Sequence, residues 1–132
     1  MKEIVKGIVT RLKAAASVTS LVSDRTYLDV PQGAVFPFIS LDFSSDERYT
    51  KTSRSVQYQI VFNAWSRQKT PLEALNILAG IKTAIDRQES LITLDTGTVV
   101  VIHMISEDCY KDPDGVTWHA VGIYNAYVDF GG

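Results

Sequence analysis

The sequence predicts an α+β fold in which a mainly antiparallel four-stranded sheet carries two helices packed on one face, in the order α–β–β–α–β–β. Three features indicate this fold. Apolar residues recur at helical spacing in two separate stretches, they alternate with polar residues over Val56–Trp65, and compact turn sequences separate the segments. The chain has 132 residues, the usual length of one domain, and we expect residues 1–132 to form a single domain.

The first helix is predicted over Lys2–Ala16. Its apolar residues fall on one helical face, and its lysines are left on the solvent side. The members of this apolar stripe are Ile4, Val5, Ile8, Val9, Leu12, Ala15 and Ala16. A short turn at Ser20–Ser23 then leads into an arm, Asp24–Ala34. In this arm Pro31-Gln32-Gly33 indicates a turn, because proline fixes φ and glycine accepts a positive φ.

The first two strands are predicted over Phe36–Phe43 and Val56–Trp65. Pro37 has no amide hydrogen to donate, so we expect it at the start of its strand or on an edge of the sheet. Between the two strands, Ser44–Ser55 has almost no apolar residue and indicates an exposed loop or an extended hairpin tip. Alternation in the second strand predicts one buried face, made of Val56, Tyr58, Ile60, Phe62 and Ala64.

The second helix is predicted over Pro71–Gln88. Thr70 can cap its N-terminus, Pro71 suits the first helical position, and Glu73 completes a capping box. The residues predicted to face the core are Ala74, Ile77, Leu78, Ile81 and Ile85.

The last two strands are predicted over Thr98–Ser106 and Thr117–Phe130. They are joined through Asp112-Pro113-Asp114-Gly115, in which proline presets one turn dihedral and glycine takes the left-handed position. In the predicted order one helix precedes the first pair of strands and the other lies between the two pairs. We expect both helices to pack on the same face of the sheet.

Charge and composition exclude several kinds of protein. The chain carries 13 basic and 15 acidic residues, a net charge of −2, whereas proteins that bind nucleic acid through its phosphates normally show a basic excess. The single cysteine, Cys109, has no partner for an internal disulfide, which is typical of a reducing cytoplasm. No stretch approaches the roughly 20 apolar residues of a membrane span, and the N-terminus lacks a signal-peptide core. We therefore expect a protein made in the cytoplasm and without a membrane segment.

Residues able to bind a metal or to transfer protons are present, but in no recognised pattern. His103 and His119 lie on predicted strands, near Asp112, Asp114 and Cys109 in the sequence. Zinc sites need three or four converging ligands, and spacings such as Cys-x-x-Cys are missing. The sequence also has no G-x-S-x-G elbow and no glycine-rich phosphate loop. We predict no catalytic residue, no metal ligand and no cofactor.

The polar segment Ser44–Ser55 is the candidate interaction site. It mixes charges of both signs around a single aromatic residue, and tyrosine and arginine are preferred anchors at protein interfaces. Mixed charge also suits the recognition of a protein better than that of DNA. A solvated hairpin tip is the alternative. The predicted interface residues are Asp46, Glu47, Arg48, Tyr49, Lys51 and Arg54.

Segments in the same order along nearly the whole chain resemble the tail completion (tail terminator) proteins of long-tailed bacteriophages. The segments that carry the resemblance are Arg25-Thr26-Tyr27, Val30-Pro31-Gln32-Gly33-Ala34, Phe36-Pro37-Phe38-Ile39, the strand to Trp65, the Glu73–Ile85 helix and Asp112–Trp118. The resemblance implies a structural virion protein of the head–tail interface, with no catalytic residue. Its expected hexameric ring caps the tail tube, stops tube elongation and offers a docking surface to the DNA-filled head.

The same resemblance implies the partners. They are further copies of this chain, the tail tube protein and a head-completion or connector protein, while DNA passes through the ring without specific binding. Two other functions stay open. One is another head–tail connector, a head-completion or stopper protein, although those more often have helical or barrel patterns. The other is a small cytosolic enzyme or ligand-binding module that uses Asp112, Asp114 and His119.

Overall fold

A computed structural model of the chain describes residues 1–49 and 54–131, with residues 47–49 described by their backbone. Over these residues the chain forms three α-helices and five β-strands. The helices are α1 (Lys2–Ala14), α2 (Ala16–Val22) and α3 (Leu72–Ile85). The strands are β1 (Thr26–Tyr27), β2 (Phe38–Tyr49), β3 (Arg54–Ser66), β4 (Thr98–Lys111) and β5 (Trp118–Asp129). A 3-10 turn, Glu89–Leu91, lies between α3 and β4.

The strands form one mixed, mostly antiparallel sheet in the order β1-β2-β3-β5-β4. The short β1 runs parallel to β2, and the other neighbouring strands are antiparallel. The chain passes from β3 through α3 to β4 at the far edge and returns as β5 to the gap between them. β3 and β5 are therefore the central strands, while β1 and β4 form the two lateral edges.

The helices cover one face of this sheet, which we call the inner face. Side chains of β3 and β5 alternate between buried and open positions, as a strand with one covered face requires. On the inner face the rings of Phe62 and Tyr124 meet edge to face, with centroids 5.1 Å apart. Gly122, the Cα partner of Phe62, lies on the same face next to Leu78 of α3. The opposite, outer face is covered by none of the described helices.

Side-chain hydrogen bonds join the first two helices to α3. Ser17 Oγ donates a hydrogen bond of 2.9 Å to the Gly80 carbonyl, and Arg11 Nε donates one of 2.9 Å to the Ala84 carbonyl. Only glycine fits at position 80, because a Cβ there would collide with the Ser17 carbonyl oxygen. The close approach of α2 to α3 therefore depends on a glycine in the middle of α3.

The predicted class, a mainly antiparallel sheet with helices on one face, is confirmed, but the prediction of four strands and two helices is wrong. The predicted helix Lys2–Ala16 is interrupted at Ala15, whose backbone is extended (φ −89°, ψ 118°), and helix then continues to Val22. The fifth strand is β1, which lies in the arm that sequence analysis left without a strand. Two residues without an alternating pattern are too few to be recognised from sequence.

Over its described part the polar segment Ser44–Ser55 forms two paired strands, as the extended-hairpin alternative predicted, and not an exposed loop. β2 continues to Tyr49 and β3 begins at Arg54, in register with each other; residues 50–53, which include Lys51, lie outside the described residues. Polar residues are tolerated in these strands because the outer face and the edge of β2 are open to solvent.

The boundaries of the second predicted helix also change. α3 starts at Leu72 and ends at Ile85, because Arg87 has a left-handed backbone (φ 59°) and turns the chain toward β4. The predicted capping box does not form, since Glu73 Oε1 accepts a hydrogen bond of 2.7 Å from Ser66 Oγ instead. β4 extends beyond the predicted Ser106 to Lys111.

Candidate assembly surfaces

The outer face of the sheet is acidic. Every second side chain of the four long strands lies on this face, and the charged ones are Asp42, Asp46, Asp108 and Asp129. Among the described side chains of the face there is no lysine or arginine. The polar residues that line a shallow pocket of about 280 Å³ near one end are Ser44, Ser45, Asp46, Gln57, Gln59 and Asn125. The described part of this face therefore presents carboxylates without compensating lysine or arginine side chains, an arrangement that repels phosphates.

A row of rings crosses the outer face at the end where β2 begins. Phe38, Trp65, His119 and Tyr110 are Cα partners across β2, β3, β5 and β4. The Trp65 and His119 rings stack with centroids 3.8 Å apart, and Tyr110 meets His119 edge-on at 5.0 Å. Phe38 lies 6.3 Å from Trp65. We call these four residues the aromatic row; it joins strands that are distant in sequence.

Hydrogen bonds fix the orientation of the aromatic row. Asn63 Nδ2 donates to the Ser40 carbonyl (3.3 Å) and to Asp42 Oδ2 (3.0 Å), so its Oδ1 is left to accept. His119 Nε2 lies 2.7 Å from that oxygen and therefore carries the proton. Trp65 Nε1 donates to Ser40 Oγ at 2.9 Å. The row is thus held by side chains of the outer face itself.

Burial keeps His119 neutral. The loss of solvent lowers the pKa of His119 below its ordinary value of 6.5, although the negative charges of Asp112 and Asp42 oppose this shift. A neutral ring is also the form that stacks on Trp65 without desolvating a charge. His119, which sequence analysis offered as a residue of an enzyme or a ligand-binding module, packs as an aromatic in this structure.

A cleft opens beside the aromatic row, with a volume of about 340 Å³. We call it the aromatic cleft. Its lining residues are Val30, Phe36, Phe38, Trp65, Arg67, Asp112, Asp114 and Thr117. Asp114 holds the β4–β5 turn, since it accepts hydrogen bonds from the amides of Val116 and Thr117 and from Thr117 Oγ1. These bonds lower the pKa of Asp114 to about 2.

The two lateral edges of the sheet expose aliphatic side chains. Beside β1 and β2, the arm exposes Leu28 and Val30, and Val35, which follows the arm, is also exposed. At the other edge, Val100 and Ile105 stand at two irregularities of the β4–β5 register, where they have no partner in β5. Bulges at sheet edges redirect side chains, and here they turn aliphatic side chains toward solvent. Natural edges are more often protected by charge, so exposed aliphatic groups at both edges indicate contact surfaces.

The middle of the β4 edge is closed to further strand pairing. The amide of Ile102 donates to Glu89 Oε1 (3.1 Å), and that of Met104 donates to Asp86 Oδ1 (2.9 Å). The Ile102 carbonyl accepts from the amide of Arg87 at 2.9 Å. The chain segment after α3 therefore satisfies the backbone groups that another strand would use.

Those predicted interface residues of the polar segment that the structure describes lie at the opposite end of the sheet from the aromatic row. Asp46 is exposed, and Glu47, Arg48 and Tyr49 pair in register with the start of β3. Arg54 lies over the Phe130 ring at 5.1 Å, and its backbone pairs with Phe130 and Gly131. The hairpin of β2 and β3 is thereby tied to the end of β5.

The remaining candidate residues do not converge. Within the described residues no group of three or more His, Cys, Asp or Glu side chains is placed to hold a metal ion. His103 stacks on Tyr127 at 6.1 Å. Cys109 is half-buried, and burial raises the pKa of its thiol, with Asp108 adding to the shift. None of the helices in the described part is long and apolar enough to cross a membrane.

Sequence reasoning missed the aromatic row and the exposed edges. Phe38, Trp65, Tyr110 and His119 are far apart in the chain, and only the strand register brings them together. The buried face predicted for the second strand contained Tyr58 and Phe62, whereas none of the four residues of the aromatic row was predicted to form a surface feature. The strand order, which sequence did not provide, decides which strands have a free edge.

Comparison with known proteins gives a family and a fold. Residues 6–129 match the family described as "Tail completion protein gp17". Among solved structures, a chain from "Virion of native gene transfer agent (GTA) particle" superposes with a TM-score of 0.88 at 17% sequence identity, over 97% of this chain and 96% of that chain. At this identity the structural match shows a shared fold. No curated protein matches the sequence significantly.

The pKa of His119 predicts how stability changes with pH. Because its pKa is below 6.5 in the folded state, the unfolded chain binds more protons between the folded pKa and about 6.5. The free energy of unfolding should therefore fall as pH is lowered from 7 to 5. In His119→Phe, which stacks but cannot be protonated, this part of the pH dependence should disappear. Urea unfolding at pH 8, 7, 6 and 5 measures it.

The matched control is His103→Phe, which leaves His119 and its partners in place. It should keep the pH dependence that His119 causes. An unchanged pH dependence in His119→Phe would contradict the assignment of the effect to His119.

Proposed function

Because this chain belongs to the tail completion protein gp17 family, we propose that it forms a ring that closes the end of a phage tail tube. Proteins of this family are structural parts of the virion tail and not enzymes, and the match covers residues 6–129. We propose further that residues 1–132 work as one domain. The observation that carries the proposal is the family match together with the exposed aliphatic groups at both lateral edges of the sheet.

The two lateral edges support ring formation. The arm and the residue after it expose Leu28, Val30 and Val35 at one edge, and β4 exposes Val100 and Ile105 at the other. Two different surfaces at opposite edges suit a heterologous contact, in which one copy's arm side meets the next copy's β4 side. Copies joined by such a contact keep adding until the rotation between neighbours closes them into a ring. Six copies are expected from the family resemblance.

The outer face suits the passage of DNA. Its charged side chains among the described residues are carboxylates, with Asp42 and Asp46 on β2 and Asp129 on β5. If this face lines the opening of the ring, its described side chains offer DNA carboxylates and no lysine or arginine, so the duplex slides past them without specific contacts.

The hairpin of β2 and β3 is our proposed contact with the tail tube. It lies at one end of the sheet, mixes both signs of charge, and is anchored through Arg54 to Phe130. Its proposed contact residues are Asp46, Glu47, Arg48, Tyr49, Lys51 and Arg54. The opposite end of the ring then faces the head-completion protein and the DNA-filled head.

Loss of the gene tests the function. Electron microscopy of lysates from a producer strain without this gene should show overlong tubes beside separate, DNA-filled heads. Tails of normal length that fail to join heads would overturn the terminator role and indicate another head–tail connector. Intact particles would contradict both roles, and metal analysis of the purified protein would then test the enzyme alternative.

The hairpin is tested by complementing that strain with Arg48→Ala/Tyr49→Ala. The double variant should fold with an unchanged circular dichroism spectrum and fail to restore particles, because it lacks the aromatic and guanidinium anchors. Lys82→Ala, an exposed change on α3, serves as the control and should restore them. A normal particle yield from the double variant would remove the hairpin from the interface.

The edges are tested by Val35→Glu and Val100→Glu. A charge buried against an apolar partner costs at least about 2 kcal/mol, so each contact should weaken roughly 30-fold. Leu72→Glu on α3 is the matched control, because Leu72 is 62% exposed, close to 64% for Val35 and 61% for Val100. Copies bound per tail end, counted by electron microscopy, should fall for both edge variants and stay normal for the control. Equal incorporation of all three would contradict the edge contacts.

A further inference from the structure

The aromatic cleft has rigid walls. Trp65 is held on one side by the stacked His119 ring and on the other by its hydrogen bond to Ser40 Oγ. Phe38 is buried, and the Phe36 ring lies 4.9 Å from it. A ligand that enters this cleft does not have to order the aromatic side chains that contact it, so little conformational entropy is lost on binding.

Asp112 supplies a carboxylate that no described side chain binds. Its amide donates to the Thr117 carbonyl (2.8 Å), and its carbonyl accepts from the Gly115 amide (2.9 Å), so its backbone is fixed in the turn. Its half-buried side chain makes no hydrogen bond or ion pair with the residues that the structure describes. Its oxygens are not among the fully buried polar atoms, so the carboxylate is accessible to a ligand that enters the cleft. Asp114, by contrast, is occupied by the turn.

The charges of the cleft do not balance. Asp112 and Asp114 face a single cation, Arg67, whose guanidinium lies 4.2 Å from the centre of the Phe36 ring. Arg67 Nε donates to Thr117 Oγ1 at 3.2 Å, and no ion pair joins Arg67 to either carboxylate among the described contacts. One negative charge is left over, and the stacked Arg67 demonstrates that an aromatic wall of this cleft accepts a guanidinium.

We propose that the aromatic cleft binds an arginine side chain of the head-side connector protein. The guanidinium would pair with Asp112 and lie against the partly exposed Trp65 ring, which adds a cation–π contact to a charge-assisted hydrogen bond. The inference rests on the proposed function for its partner. The cleft lies at the end of the sheet opposite to the β2–β3 hairpin, so it faces the head if the hairpin contacts the tube.

Binding is tested on the isolated protein with N-acetyl-L-arginine amide. In an NMR titration it should shift the Trp65 indole and Thr117 amide signals with millimolar affinity, whereas N-acetyl-L-citrulline amide, which is isosteric and neutral, should not. Asp112→Asn should weaken binding at least about tenfold, because it removes the charged acceptor. Asp108→Asn removes the same charge from a neighbouring part of β4 and should bind as the unaltered protein does. Equal shifts with citrulline, or full binding by Asp112→Asn, would overturn the proposal.

The source of the arginine is tested in the complemented strain. Asp112→Asn, with an otherwise unchanged amide spectrum as proof of folding, should give tails of normal length that fail to join heads, while Asp108→Asn gives intact particles. Overlong tails would indicate that the cleft binds the tail tube protein, which would contradict the proposed head-side partner. Loss of ring assembly would indicate that the cleft binds a second copy of this chain, which would also contradict the proposal. Because the gene-loss phenotype is read separately, failure of this inference leaves the proposed function standing.

Discussion

The packing of α3 on β3 and β5 is the constraint on which the other surfaces depend. Phe62 and Tyr124 form an edge-to-face pair beneath this helix, and burial raises the pKa of the Tyr124 phenol above its ordinary value. α2 packs closely on α3, where Gly80 admits the backbone of Ser17, and Arg11 of α1 donates a hydrogen bond to the Ala84 carbonyl of α3. All three helices are thus committed to the inner face. The outer face and the two edges stay open for contacts with other molecules.

The parts of the fold that sequence predicted are those with a regular pattern. The alternation of β3, the apolar stripe of α3 and the turn Asp112–Gly115 are each encoded by residues close in the chain. The continuation of β2 to Tyr49 carries no apolar signal, because its outer side chains meet solvent. No glycine or proline marks the break at Ala15, and the apolar stripe of the first helix continues through this residue, so the sequence does not indicate the break.

The candidate surfaces were less predictable, because they depend on register and strand order. The polar hairpin was recognised from composition, which is a local property. The aromatic row combines Phe38, Trp65, Tyr110 and His119, and no spacing in the sequence relates them. Likewise, Val100 and Ile105 belong to an apolar strand pattern, and only the register shifts of β4 reveal that they are exposed. Non-local pairing thus creates these surfaces.

The blocked edge of β4 suits a protein whose copies associate to a fixed number and then add no more. An open strand edge would accept any further strand, including that of a second copy in a growing sheet. Here the carboxylates of Asp86 and Glu89 occupy the amides of Met104 and Ile102, while Val100 and Ile105 remain exposed on either side. Contact at this edge therefore depends on side-chain shape, which a specific neighbour supplies and an arbitrary strand does not. In the proposed ring this restricts association to the copies that closure requires.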